Sequence, residues 1–319
     1  MYSREEVAIR ILDLFFVRKD VYARSFIKSD GTMYYAPSCS CSLTCNRGTG
    51  CPLWSPHGVT ETTIYDHILA TTLEPYPRTV GSYSTSQNQE SCWIVFDIDA
   101  HNAIKSASIV DPRDSIAAYQ TLTALSQTLK DQHIPHYVEE SGMGWHIWVF
   151  VSPIRAEVAY RAGRQILDMT EDCATDVEVY PKQSTITENG FGNLVKVPYG
   201  LHWSGRRCVF IDLETKKYIQ DQWEYLFSIK KVEPMILQRL AGQRISSLKS
   251  VKKVEDIRKA NIGLQSGLLP GPPCVLREYR RERNRDGSGH PKSENGGRVP
   301  LQHSVKAGPA LWPSSRKDP

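Results

Sequence analysis

Two carboxylates spaced two residues apart, Asp97 and Asp99, close the run Trp93-Ile94-Val95-Phe96-Asp97-Ile98-Asp99. Their almost wholly apolar lead-in predicts a strand covered on both faces. Residues two apart on a strand point the same way, so both acids would stand against an apolar wall. Such a pair repels and is poorly hydrated unless a cation lies between its members. Hard divalent ions, Mg2+ or Mn2+, take oxygen ligands of this kind. By itself the spacing is common, and a solvated strand end whose acids cap a neighbouring loop is the simpler account.

A second stretch, Ser141-Gly142-Met143-Gly144-Trp145-His146, combines two glycines with a histidine. The glycines suit a tight strand-to-strand turn whose amides approach an anion closely. His146 then emerges where an imidazole could donate to a phosphate. A hairpin followed by a core histidine is the plainer alternative. A third, Asp176-Val177-Glu178-Val179-Tyr180-Pro181-Lys182-Gln183, places Asp176 and Glu178 on one strand face, with Lys182 able to meet a triphosphate. An edge strand stopped by Pro181 explains it equally well. Downstream, Gly192 to His202 adds a strand flanked by Lys196 and His202. Each signal is weak alone. In this order, they supply the carboxylates for two cations and the donors for a triphosphate that phosphoryl transfer needs.

Elements able to carry these groups are legible around them. Ser3 and Glu6 form a capping box ahead of a helix with the apolar set Val7, Ile9, Ile11, Leu12, Leu14 and Phe15. A turn at Asp30-Gly31, a strand at Met33–Tyr35, a helix at Thr60–Leu69 and a loop-rich stretch at Pro75–Gln89 follow. Beyond the acidic strand, Asp111-Pro112 opens a helix, and strands are expected at His136–Glu139 and Trp145–Val151. Ser152-Pro153 is expected to start a helix reaching about Asp172. Strands at Asp176–Tyr180, Asn193–Pro198 and Cys208–Ile211 come next, then helices at Asp221–Ile229 and Pro234–Leu248.

Bulk properties exclude little. The chain of 319 residues is 40% hydrophobic and 23% charged, as in ordinary globular proteins. Ser3-Arg4-Glu5-Glu6 at the start is unlike a secretory signal, no apolar run approaches membrane-spanning length, and a cytoplasmic protein is expected. The net charge of +4 belongs to the end of the chain: ten Lys/Arg against five Asp/Glu follow from Arg277 onward. Any nucleic-acid groove must therefore be local. Four of eight cysteines, Cys39, Cys41, Cys45 and Cys51, share one loop, so reduced thiols with a structural Zn2+ are expected rather than disulfides. The spacing departs from paired C-x2-C, and His57 is an alternative ligand.

The three motifs together resemble those of the archaeo-eukaryotic primase superfamily, in particular the primase domain of TOTE conflict systems and its phage and CRISPR-associated relatives. Phe16, Arg18, Asp20-Val21-Tyr22-Ala23, Gly81-Ser82-Tyr83 and Gly192-Asn193-Leu194 with Lys196 and Pro198 resemble that branch too. The likeness covers roughly residues 10–210. It implies an α+β protein of the archaeo-eukaryotic primase fold, with an RRM-like catalytic half and an N-terminal α/β half carrying the Cys-rich loop. It implies a primase or polymerase joining nucleoside triphosphates on a single-stranded DNA or RNA template, with helicase or nuclease partners and no membrane. Asp97 and Asp99 would hold two Mg2+ or Mn2+ ions with a third acid, Glu178 or, as alternative, Asp176. Ser141, Gly142, Gly144, His146, Lys182 and Lys196 would contact the nucleotide.

The corresponding domain expectation is an N-terminal unit over 1–91 with its zinc loop at 39–57, and a catalytic unit over 92–230. A helical segment over 231–270 and a disordered tail over 271–319 complete it. The tail's Gly, Pro, Ser and Arg cannot bury enough apolar surface to fold alone. The branch that the chain resembles often carries a further C-terminal region, and Pro272-Pro273-Cys274 looks like its opening, so a truncated or frame-shifted end is expected. A non-catalytic single-strand-binding module on the same scaffold is the competing reading, disfavoured because bare carboxylates repel a nucleic-acid backbone. A replication-initiation nickase would want a His-x-His pair, and His146-Ile147-Trp148 offers one His.

Overall fold

A computed structural model describes residues 2–27, 33–42, 45–46, 48–70, 79–99, 115–202 and 204–242. The expected turn at Asp30-Gly31, the helix start at Asp111-Pro112, the helical stretch past Gly242 and the tail lie outside them.

Helix α1 (Arg4–Phe15) begins with the expected capping box: Ser3 Oγ accepts from the Glu6 amide, and Glu6 accepts from the Ser3 amide at 2.7 Å. It buries Val7, Ile11, Leu14 and Phe15 and leaves Ile9 exposed. Strands β1 (Ala23–Ile27) and β2 (Met33–Pro37), helix α2 (Glu61–Leu69) and strand β3 (Val80–Tyr83) follow. With β8 (Leu194–Lys196), a much later segment, they form an antiparallel sheet in the order β2-β1-β3-β8. Strand β3 lies within the stretch expected to be loop. Its Gly81-Ser82 centre has weak strand propensity, but a Cβ on Gly81 would stand 2.8 Å from Leu194 Cδ1, so close pairing with β8 selects glycine.

The second sheet is built from β4 (Glu90–Asp99), β5 (Tyr137–Glu140), β6 (Gly144–Arg155), β7 (Val177–Tyr180), β9 (Val209–Asp212) and β10 (Lys217–Tyr218). Its order is β10-β9-β5-β6-β4-β7, antiparallel throughout. With α3 (Ile116–Asp131) and α4 (Ala156–Met169), the run β4-α3-β5-β6-α4-β7 has an RRM-like βαββαβ arrangement. The helix expected from Ser152-Pro153 begins later, at Ala156, because β6 continues to pair with β4 as far as Glu90↔Arg155. The register shifts between Ser91 and Trp93, and such an irregularity accommodates a proline that cannot donate to the ladder.

The two faces of this sheet differ, and the difference positions the site. One face carries Ile94, Phe96, Ile98, Ile147 and Val149 against Leu122, Leu125 and Leu129 of α3 and Ile166 of α4. Each such side chain contributes about 1.5–3 kcal/mol on burial. The other face carries Trp93, Val95, Trp148 and Phe150 against Phe15 of α1, with Phe15 edge-on to Trp148 at 5.0 Å. Continuing along that second face, the same alternation presents Asp97 and Asp99 instead of apolar groups. An apolar core thus passes into an acidic cleft on a single strand.

Helices α5 (Gln222–Ser228), capped by Asp221, and α6 (Pro234–Gly242) close the described chain. No helix among the described residues is long and apolar enough to cross a membrane. Among the described residues, Cys39, Cys41, Cys45, Cys51, Cys92 and Cys208 are free thiols.

Candidate active site

Strand register gathers the acidic residues. Asp97 on β4 lies opposite His146 on β6 and opposite Glu178 on β7, while Asp99 pairs with Gly144. Directly opposed residues bring their Cβ atoms within about 5 Å. The sheet therefore converges on Asp97 from both sides. Asp176 precedes β7 and is exposed, without a ladder partner on β4. Of the two candidates for the third acid, register aligns Glu178 with Asp97.

Burial raises the Asp97 carboxyl above its ordinary range; His146 opposes the shift, and the nearby charges of Glu178 and Asp99 add to it. A carboxylate in such surroundings would be favoured in its charged form by a neighbouring cation. The neighbours already supply partial compensation. His146 Nε2 stands 3.6 Å from Asp97 Oδ1, and Lys182 Nζ donates to Glu178 Oε2 at 2.6 Å. Tyr180 also donates to Glu178, at 3.0 Å, and its ring lies 4.7 Å below the Lys182 ammonium.

Asp97, Asp99, Ser141, Gly144, His146 and Lys196 line one cavity of about 310 Å³. It lies between the two sheets: Tyr35 of β2 and Lys196 of β8 face the acids of β4 across it. The glycine turn is a hairpin, with the Ser141 amide donating to the Gly144 carbonyl at 3.0 Å. Gly142 has φ 99°, and a Cβ there would fall onto the imidazole of His202, itself a cavity residue. Glu178, Lys182 and Gly142 stand beside the cavity rather than in its lining.

Some residues of the cleft escaped sequence reasoning. Glu139 is fully buried, and its Oε2 accepts from His146 Nδ1 at 2.9 Å and from Trp148 Nε1 at 2.7 Å. Its Oε1 lies 3.6 Å from Lys196 Nζ. Burial would push its carboxyl up, but His146 and Lys196 beside it, with the two hydrogen bonds, hold it below the ordinary value. A signal existed: once Ser141 to Gly144 is read as a hairpin turn, counting outward pairs Glu139 with His146. Tyr35 had no such signal, because its position depends on the packing of two sheets. Trp145 and Trp148 are core residues and not exposed stacking platforms. Arg207 donates to the carbonyls of Ile68, Tyr199 and Ala70, and Arg206 pairs with Glu140 at 3.1 Å.

Away from the cleft, the sulfur atoms of Cys39, Cys41, Cys45 and Cys51 all lie within 4.8 Å of one another. Four thiols so gathered fit a tetrahedral site for a metal such as Zn2+. The Cys39 thiol is drawn down to about 7, chiefly by a hydrogen bond from the Ser55 backbone and further by Cys41 and Cys51. Its neighbour Cys41 is shifted the other way, raised by its hydrogen bonds to Cys39, Cys45 and Cys51. His57 is tied in by its backbone: its carbonyl accepts from Ser38 Oγ at 2.6 Å. Among the described residues, the acids of the cleft are not drawn into a comparably tight ligand set.

Residues 7–240 match the family described as TOTE conflict system, Archaeo-Eukaryotic Primase domain. The chain belongs to this family. No curated protein matches it. The archaeo-eukaryotic primase match extends from α1 into α6, so both sheets and the intervening cleft lie within one family domain. Membership places the chain in a nucleotidyltransferase-type family that acts generally on nucleic acid and nucleoside triphosphates.

Proposed function

We propose that this primase-family domain is a template-directed nucleotidyltransferase, a DNA primase or polymerase that joins nucleoside triphosphates on a single-stranded template. The observation that carries the reading is the alignment of Asp97 with Glu178 on one side and His146 on the other. Asp97, Asp99 and Glu178 would hold the divalent ions, Mg2+ or Mn2+. Bound there, such ions supply charge neutralisation at the α-phosphate and activation of the attacking 3′-hydroxyl.

The protein's own groups do the rest. Ser141 and the amides of the Gly142–Gly144 turn cradle phosphate oxygens, and His146 Nε2 faces them from beside Asp97. Lys182 pairs with Glu178, and its ammonium is placed so that it could meet the triphosphate as a point charge. Lys196 contributes a second ammonium from the opposite wall. The cysteine loop is a structural zinc site, remote in role from the reaction.

The test is incorporation of dNTPs and NTPs on a primed and an unprimed single-stranded template with Mg2+ or Mn2+. Activity in the wild type and its loss in Asp97→Ala/Asp99→Ala are expected. Salt-sensitive strand binding with no incorporation by either protein, across both metals and both sugars, would leave a binding module in place of an enzyme.

A further inference from the structure

Glu139 is a buried carboxylate whose two oxygens face different walls of the cleft. It stands on β5, fully buried, at the point where the two sheets meet. Burying a carboxylate costs several kcal/mol unless its partners are well placed. One oxygen, Oε2, takes two donors at hydrogen-bond distance, His146 Nδ1 and Trp148 Nε1. Trp148 is locked by the aromatic core, edge-on to Phe15 and to Trp93, so the carboxylate is anchored on a rigid group. The other oxygen, Oε1, makes no hydrogen bond; Lys196 Nζ stands 3.6 Å away on β8, with the Cys208 thiol as its other neighbour. The two ends of Glu139 therefore do different things. One end is fixed to the sheet carrying the acids, and the other reaches loosely to the opposite wall.

The consequence for His146 follows from the donor inventory. An imidazole whose Nδ1 proton is held by a carboxylate presents Nε2 in a fixed direction, here toward Asp97 and the cavity. The consequence for Lys196 is an ammonium kept charged and in place by a long ion pair beside the Cys208 thiol, able to exchange that ion pair for a short contact with a ligand anion. We infer that Glu139 is the positioning residue of the cleft, holding the His146 ring with Nε2 turned to the reacting groups and tethering Lys196 so that its ammonium addresses the phosphates of an incoming nucleotide. This rests on the reading of the cleft as a nucleoside triphosphate site. It concerns a residue outside the three motifs that define that reading.

The substitutions that test it follow from the geometry. In Glu139→Gln, an amide oxygen turned to His146 and Trp148 puts an NH2 group against the Lys196 ammonium; the reverse rotamer puts that NH2 against two donors. Lys196→Met removes the cation while leaving Glu139 on His146. Glu139→Leu/Lys196→Met removes both charges together, a replacement that buried ion pairs commonly tolerate. It differs from Lys196→Met only at Glu139.

Two readouts are needed, on full-length protein with thermal unfolding as the folding control. The first is the 15N–1H two-bond correlation pattern of the His146 ring, assigned by its absence in His146→Asn. The second is kcat and KM for nucleotide incorporation. Wild type and Lys196→Met are expected to show a proton fixed on Nδ1, and Glu139→Leu/Lys196→Met a mixture of tautomers. Lys196→Met is expected to raise KM about tenfold, and loss of Glu139 to lower kcat a further 10- to 100-fold, the range found when a group behind a ligand is removed. Glu139→Gln should combine both defects.

If Lys196→Met and Glu139→Leu/Lys196→Met share one ring pattern and agree in kcat within about twofold, Glu139 merely fills space and the inference falls. The ring pattern is read on the resting protein. A wild type without incorporation activity would therefore overturn the proposed function, while the spectra still decide whether Glu139 orients His146.

Discussion

The cysteine loop and the acidic cleft are both candidate metal sites, and they are assembled in opposite ways. Cys39, Cys41, Cys45 and Cys51 come from one short segment, and their sulfur atoms already lie within 4.8 Å of one another. Asp97, Asp99 and Glu178 come from two strands far apart in sequence, and His146 stands beside Asp97 while Lys182 pairs with Glu178. A structural site has closed ligands and no function beyond holding them. A site that must admit substrate and metal together keeps its acids on rigid strands and balances them with movable cations until the ligands arrive. Closure marks the first kind of site, and compensated openness the second.

The strongest test of that contrast is removal of the acids. Asp97→Asn/Asp99→Asn should lower incorporation by about a thousandfold or more. Thermal unfolding should stay level or rise, because a buried carboxyl already raised by its acidic neighbours is relieved of repulsion. Destabilisation instead of stabilisation would mean that the pair is structural. Next in size is the choice of third acid. Glu178→Gln should cost about a hundredfold and Asp176→Asn less than about twofold in kcat. The reverse ranking would show that β7 slides or twists when substrate binds.

Acid separates the regions by stability. His67 on α2 is fully buried, bonded through Nε2 to the Pro198 carbonyl and through Nδ1 to the Val80 amide. Burial, reinforced by Lys196 and Arg207, lowers it to about 4 despite those backbone bonds. The unfolded chain takes up a proton below the ordinary value of 6.5, which the native protein refuses down to about 4. Stability should therefore fall by about 3 kcal/mol as pH drops through that window, measurable by urea unfolding at several pH values. A His67→Gln protein with the same pH slope would rule this source out.

The smallest expected effect concerns the cysteine loop. Metal analysis should find stoichiometric zinc, and its chelation or Cys41→Ser should lower the unfolding midpoint by about 5 °C. Incorporation at lower temperature should survive, since the loop lies apart from the cleft lining. Loss of activity in the still-folded apo protein would join the two regions functionally.

Much of the catalytic sheet was legible because its signals are local. The unbroken apolar lead-in announced β4, the glycine pair announced the β5–β6 hairpin, and Asp221 and Thr60 announced the helices they cap. The four-stranded sheet was harder to read. β3 has a glycine and a serine at its centre, and β1 carries Arg24, buried against Tyr22. β3 owes its strand state to pairing with β8, more than a hundred residues later, and β1 sits between β2 and β3. The mistaken helix start at Ser152-Pro153 has the same origin, since local capping chemistry was overruled by β6 continuing along β4.

Sequence by itself determined which residue types stand at which spacings: a carboxylate pair two apart on a strand, a glycine turn before His146, and four cysteines in one loop. These are short-range facts, fixed by backbone periodicity and by the chemistry of each side chain. Tertiary structure alone decided that Glu178 rather than Asp176 stands across from Asp97. It also decided that Glu139 joins His146 to Lys196, and that Tyr35 faces the acids from a second sheet. Such neighbours are set by strand register and by how two sheets pack, and both depend on burying apolar surface over the whole domain.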